Sequence, residues 1–286
     1  MKRILNVVLT LSMVFSAAQA QLGGVGYYRG NAPGFKYATI DLQSRMTDIW
    51  SGQRKQLFNR FYRRMWSQAV WQKMDVMYLF AAHAQQPALL NVIKRSHNAT
   101  AVNSPTFAAN RGFTGNGTSS YINSNYNANS QAVNYSLNSA TIGAYVTGTA
   151  VDAGTVIGAS SDAVNWAQIV PRFTGDITIM RLNSGASSTH ASTNASGWWT
   201  IDRAVSTEFI TYRNGALFAT QSTVSSTVPD ANFYILARNV GGTASAFFSL
   251  QTSAVLFGGS LSASQQLHLN NAVETYWMDP IGAGVQ

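Results

Sequence analysis

"FITYRNGALFAT", residues 209–220, decides the fold class. Asn214-Gly215 is the strongest short hairpin signal, because a type I′ turn needs φ > 0 at both central residues. Pairing outward from that turn sets Tyr212 opposite Leu217 and Ile210 opposite Ala219, on one apolar face. Arg213, Thr211, Phe218 and Thr220 fall on the other face. A sheet with one buried side follows, since a one-residue slip would carry every apolar side chain to the wrong face.

The same texture extends from about Ser96 to the C-terminal region. "TIGAYVT", "GTVIGA", "WAQIVP", "DITIMRL", "WWTID", "EFITYR", "ALFATQ", "NFYILAR" and "FFSLQTSAVLF" alternate with Gly, Asn and Ser turns. That spacing is the one expected of two packed antiparallel sheets. One helix closes the series: Ser262 with Gln265 makes an S-x-x-Q capping box, and Leu269, Val273 and Tyr276 share a face. Pro280 follows its end, and 280–286 form a tail.

Upstream the period changes. From Asp41 the pattern is helical, with Trp50, Leu57, Phe61 and Met65 in one stripe and Phe58 and Tyr62 beside it. A second short helix is expected after Ser67. "MDVMYLFAAHA" fits a buried strand or a buried helix equally, and Gln85–Ile93 should add one or two helical turns with Pro87 in the first. Residues 41–95 are thus a basic helical segment, and 96–279 the sandwich. Residues 21–40, rich in Gly and aromatics, lack a period and read as an extended arm. The first twenty residues look like an export signal: Lys2 and Arg3, an apolar run, then Ala18-Gln19-Ala20 before Gln21. That run is too short for a stable membrane span.

Charge is sparse and uneven. Charged residues make up 10% of the chain, so polarity comes from Ser, Thr, Asn, Gln and Gly. Residues 1–111 carry a net +11 and 112–286 a net −3. The basic front, with Arg60 and Arg63 turned away from the apolar stripe and Arg64 next in the chain, is read as a surface that docks an acidic neighbour; nucleic acid is not expected. The sequence has no cysteine, which excludes disulfides and thiolate metal sites.

Three stretches carry a family resemblance. "FTGNGTSSYIN" (113–123), "TEFITYRNGALFATQS" and "FYILARN…GGSLSASQQLHLNNAVETYW" resemble the laminin-G-like, concanavalin A-like jelly roll. "WQKMDVMYLFAAH" (71–83) with "NATAVNSPTFAANRGFTGNGTSSYI" is similar to tail- or fibre-associated proteins of tailed bacteriophages. The resemblance spans about residues 66–278. It implies a mainly β, jelly-roll sandwich with an N-terminal helical segment and a short C-terminal helix.

Glycosidases occur among such sandwiches and need two facing carboxylates. The two glutamates here, Glu208 and Glu274, are far apart, and Asp202 with Glu208 reads as a surface pair at a turn. His83, His97, His190 and His268 are scattered without metal-site spacing. "GGVG" at 23–26 lacks both a preceding strand and the Walker lysine, and G-x-S-x-G is absent. No catalytic centre and no metal site are expected, although the resemblance leaves calcium open at the loop residues Asp152, Asp162 and Asp230.

Binding residues are easier to nominate. In "NASGWWTIDR" (194–203) one of Trp198 and Trp199 must point away from the core. That indole, Arg203 beside it, and Trp166 in "DAVNWAQ" are the candidate ligand-binding residues. The whole reads as a non-catalytic virion-associated structural or adhesion protein, of tail, fibre or decoration type. Its lectin-like sandwich would meet a cell-surface glycan or a protein, and it would assemble with other virion proteins or with itself as a homo-oligomer. The alternative is a secreted bacterial lectin-like carbohydrate-binding protein. Its place is the virion or the extracellular space.

Overall fold

A computed structural model describes residues 37–278; the export-signal-like segment, residues 21–36 of the arm, and the tail lie outside the described residues. The chain runs through helices α1 (Tyr37–Ser44) and α2 (Gly52–Ser67), a 3-10 turn (Trp71–Lys73), β1 (Met74–Tyr78) and α3 (Gln85–Ala88). Next come β2 (Thr100–Val102), β3 (Thr106–Ala108), β4 (Gly112–Thr114), β5 (Tyr121–Asn127), α4 (Ala128–Gln131), β6 (Ala140–Val146), β7 (Ile157–Ser160) and β8 (Trp166–Phe173). Then follow β9 (Ile177–Ser184), β10 (Gly197–Arg203), β11 (Phe209–Arg213), β12 (Ala216–Gln221), β13 (Asn232–Ile235), β14 (Arg238–Val240), β15 (Thr243–Ser245) and β16 (Gln251–Gly258). Helix α5 (Ala263–Val273) and a π-helical turn (Glu274–Met278) close it.

Two eight-stranded sheets result. The first has the order β12-β11-β10-β6-β16-β4-β3, with β1 also on β16. The second has the order β15-β14-β7-β13-β5-β2, with β8 on the other side of β7 and β9 beyond it. Between them lies one apolar core, including Ile142, Ile169, Met180, Trp199, Phe209, Phe233 and Phe257. The protein is mainly β, a two-sheet sandwich with few helices.

The helical segment is not a separate unit. Its stripe reads as expected, with Phe58, Phe61 and Met65 buried, but what it covers is the outer face of the first sheet. Phe58, Phe61, Met65 and Trp71 join Tyr145, Trp198 and Leu256 from the sheet and Leu269, Val273 and Trp277 from the C-terminal helix in a second core. The stretch that fitted helix or strand is the strand β1, paired with β16. A boundary at residue 96 therefore divides one packed body. Likewise α1 begins at Tyr37, so the last four residues of the supposed arm are helical. The molecule is three layers thick: helices, first sheet, second sheet.

The hairpin keeps its turn and shifts its register. Asn214 and Gly215 have φ of 51° and 75°, and Tyr212 faces Leu217 as expected, but Thr211 faces Ala219 across a bulge at Phe218. Ile210 consequently meets Thr220. Phe218 turns toward the sandwich core and packs edge-on against Trp199, with centroids 5.0 Å apart. Leu217, on the edge strand, is exposed. Leu217 and Phe218 keep their expected faces, while the bulge inverts those of Ala219 and Thr220, because one extra residue moves each later side chain to the opposite side. The turn also abuts α5: a Cβ on Gly215 would lie 2.8 Å from Leu267 Cα. Gly215→Val should thus cost about 1–3 kcal/mol, from φ > 0 and from the contact. An unaltered melting temperature would contradict this account of the turn.

At the other end of the chain the capping box forms as read, with Ser262 Oγ accepting from Gln265 N–H and the Gln265 side chain from Ser262 N–H. "NFYILAR" is broken into β13 and β14 by Leu236, whose φ is 64°.

Candidate functional site

The expectation that one of Trp198 and Trp199 faces solvent fails. The two side chains do point to opposite faces of β10, but both faces are covered, and both indoles are fully buried. Trp199 lies in the sandwich core, its Nε1–H donating to Ala195 O at 2.9 Å. Trp198 lies under the helices. Neither offers a stacking surface.

Arg203 is likewise internal. Its Nε donates to Leu182 O at 3.0 Å, and its Nη1 lies within 3.3 Å of the carbonyls of Val205, Ser206, Glu208 and Thr223. The guanidinium fastens the loop after β10 to β9 and to the segment after β12. Burial lowers its pKa, while the nearby Tyr135 raises it.

Asp202 is no surface acid. It is 4% exposed and faces the helical layer, accepting from Leu261 N–H at 2.6 Å, from Gln266 Nε2 at 3.3 Å and from the Thr141 hydroxyl. Burial outweighs these donors and raises its carboxyl to about 6. Folding therefore favours the protonated acid. That stabilisation is complete below about pH 4, the ordinary aspartate pKa, and is lost as pH rises through 6. Asp202→Asn should gain about 3 kcal/mol relative to the native protein between pH 4 and 7. Parallel denaturation profiles at the two pH values would exclude this.

Glu274 and the three loop aspartates are also occupied. Glu274 accepts from Tyr145 Oη at 2.7 Å on the helical side. Asp152 takes Gly154 N–H, Ser249 N–H and Ser249 Oγ. Asp162 takes the Val164 and Asn165 N–H groups, and those donors hold its pKa down to about 2. Asp230 takes Asn127 Nδ2. The three calcium candidates stand on separate loops, and no three His, Cys, Asp or Glu side chains gather at one point among the described residues.

On α2, Arg60 and Arg63 are exposed. Arg64 is half-buried, its Nη2 3.1 Å from His268 Nδ1 on α5, so it ties the two helices together. His83 sits in the helical layer, 2.8 Å from Asp48 and accepting from Trp50 Nε1.

With the first sheet roofed by helices, the outer face of the second sheet remains. Alternation along its strands sends Ile122, Ile157, Ala167, Ile169, Met180 and Ile235 inward. Their neighbours point outward, and register aligns them in one row across the sheet. Arg181 faces Gln168, Gln168 faces Gly158, Gly158 faces both Tyr234 and Arg238, Tyr234 faces Asn123, and Asn123 faces Thr100. Trp166 anchors one end, with Arg181 and Arg238 over its ring at 5.4 and 5.1 Å. It is 5% exposed, so the surface consists of the guanidiniums, not the indole face. Tyr121 stacks on Tyr234 at 4.5 Å and touches Phe247 at 6.3 Å. Phe247 leads into a rim pocket of about 480 Å³ lined by Gly117, Asp152, Gly154 and Ser249.

Of the residues nominated from sequence, only Trp166 belongs to this face. Arg181, Gln168, Arg238, Tyr234 and Asn123 were missed, being spread over five strands far apart in the chain. A signal was present in "ITIMRL", where Arg181 interrupts Met180 and Leu182 and so must point outward.

No protein-family model matches the chain, and no curated protein does. Solved structures do. The Trypanosoma rangeli sialidase in complex with 2,3-difluorosialic acid superposes with TM-score 0.54 at 15% identity, over 78% of this chain and 39% of the sialidase. The botulinum neurotoxin serotype D ligand binding domain in complex with N-acetylneuraminic acid gives TM-score 0.52 at 12% identity, over 75% and 55%. The likeness is one of fold. The chain spans well under two thirds of either protein, and what they share with it is a β-sandwich fold.

Proposed function

We propose that the protein is a non-catalytic, lectin-like carbohydrate-binding module, and that it binds glycans on the open face of its second sheet. The observation that carries this is the transverse row from Arg181 to Asn123, bordered by Trp166 and by the Tyr121–Tyr234 stack. Sugar rings present apolar C–H faces edged by hydroxyls; the Arg, Gln and Asn side chains of the row match the hydroxyls, and the half-buried Tyr121 at its border offers the apolar contact. Support also comes from the fold, since one structural neighbour was solved with N-acetylneuraminic acid bound. A sialidase among the neighbours raises catalysis as the competing role. Against it, Asp202 and Glu274 are committed to the helical side, and neither reaches the open face.

The topology we assign is a concanavalin A-like jelly roll, and a composition rich in Ser, Thr, Asn and Gln but only 10% charged supports a virion or extracellular setting. The resemblance to phage tail and fibre proteins supports a virion-borne form of the same role, with the exposed Arg60 and Arg63 on the opposite, helical side facing its neighbours. Such an arrangement turns the binding face outward and the helices toward the assembly. A glycan panel screened with the full chain tests the reading. Binding that falls on Tyr121→Ala, with the fold intact, is expected. Absence of binding to every glycan, or release of sugar from any of them, would contradict it.

A further inference from the structure

We propose that Arg181 and Arg238 together recognise the carboxylate of an acidic sugar, with Gln168 reading an adjacent hydroxyl. The proposal rests on the glycan-binding reading above and names the class of glycan. The geometry begins with Gly158, which stands between Gln168 on β8 and Arg238 on β14. A Cβ at Gly158 would come within 2.6 Å of Arg238 Cβ, so only a residue without a side chain lets Arg238 lie close against this part of the sheet. Both guanidiniums then lie over one indole. Neither has a carboxylate within 4.0 Å among the described residues, unlike Arg172, which pairs with Asp176 at 2.8 Å. Two like charges held together repel, and an anion set against both relieves that repulsion. A planar guanidinium also matches a carboxylate in a paired, two-bond geometry.

Unused hydrogen-bonding groups mark the same place. Arg181 Nε is a buried donor and Gln168 Oε1 a buried acceptor, and neither has a partner. The two residues face each other across β8 and β9, and Gln168 is 4% exposed, its Nε2 held by Thr155 Oγ1 at 2.8 Å. Buried polar groups are rarely left unpaired without a reason. A hydroxyl donates and accepts at once, so a single sugar hydroxyl satisfies both. An acidic peptide fits less well. Extended peptides bind by adding a strand at a sheet edge, whereas this row crosses the middle of the sheet, where the backbone groups already serve the ladders.

Calorimetric titration of the full chain with 3′-sialyllactose and with trigalacturonate, each beside its methyl ester, tests the proposal. The acids should bind and the esters should bind at least about tenfold more weakly, the loss expected of a charged hydrogen-bonding pair. Arg181→Gln and Arg238→Gln should each abolish that preference while keeping the native melting temperature. The ester comparison uses no variant, so a folding defect cannot imitate the result. Equal affinity for acid and ester overturns the proposal and leaves glycan binding standing. Equal affinity for a hexaglutamate peptide also overturns it. No binding to these acids beside binding to a neutral glycan of the panel overturns the proposal alone, and no binding to any glycan overturns the glycan-binding reading as well.

Discussion

Arg203→Leu should lower stability by about 3–5 kcal/mol, the loss typical of removing one side of a buried polar network. Five carbonyl oxygens share the three hydrogens of Nε and Nη1 and lose them together. A buried carbonyl left unpaired costs about 1–3 kcal/mol. The sum stays below five such terms because Val205 and Ser206 are exposed and water can replace the guanidinium there. Arg203→Lys keeps the charge but not the planar fork, and one ammonium cannot reach carbonyls from three segments. It should recover less than half of the loss. Chemical denaturation of both variants measures this, and an unchanged midpoint for Arg203→Leu would remove the staple from the account.

The second large effect is at the paired tryptophans. Trp199→Ala and Trp198→Ala should each cost about 3–5 kcal/mol through cavity formation, because each indole fills a different core. Phenylalanine separates them. Trp199 Nε1 has a partner in Ala195 O, whereas Trp198 Nε1 is buried without one. Trp199→Phe therefore loses a hydrogen bond, while Trp198→Phe removes an unpaired donor and should be the milder change. If Trp198→Ala melted like the native protein, the helical layer would not cover the first sheet as described.

These two cases show what local pattern can and cannot convey. Asn214-Gly215 and the Ser262–Gln265 box are short-range chemistry, and both formed as read. The alternation at Trp198 and Trp199 was also read correctly as opposite faces. That the face under Trp198 is roofed depends on Phe58 and Phe61, about 140 residues upstream, and no local period carries that information. Arg203 fits the pattern of a surface arginine because its partners are backbone carbonyls, which leave no mark in sequence. The bulge at Phe218 is invisible for the same reason: a period of two continues in the letters while the register moves by one. The open face is built by strand order, so its members were legible only as single outward residues such as Arg181.

The seven tryptophans give the central claim its most direct measurement. With indole nitrogens labelled, Trp166 reports the open face, Trp199 the sandwich core, and Trp198 and Trp277 the helical layer. On titration with 3′-sialyllactose, the Trp166 Nε1–H resonance, assigned through Trp166→Phe, should shift in a saturable way while the Trp198, Trp199 and Trp277 signals stay in place. A saturable shift at Trp198 or Trp277 with Trp166 unmoved would place the binding surface on the helical side and contradict the account.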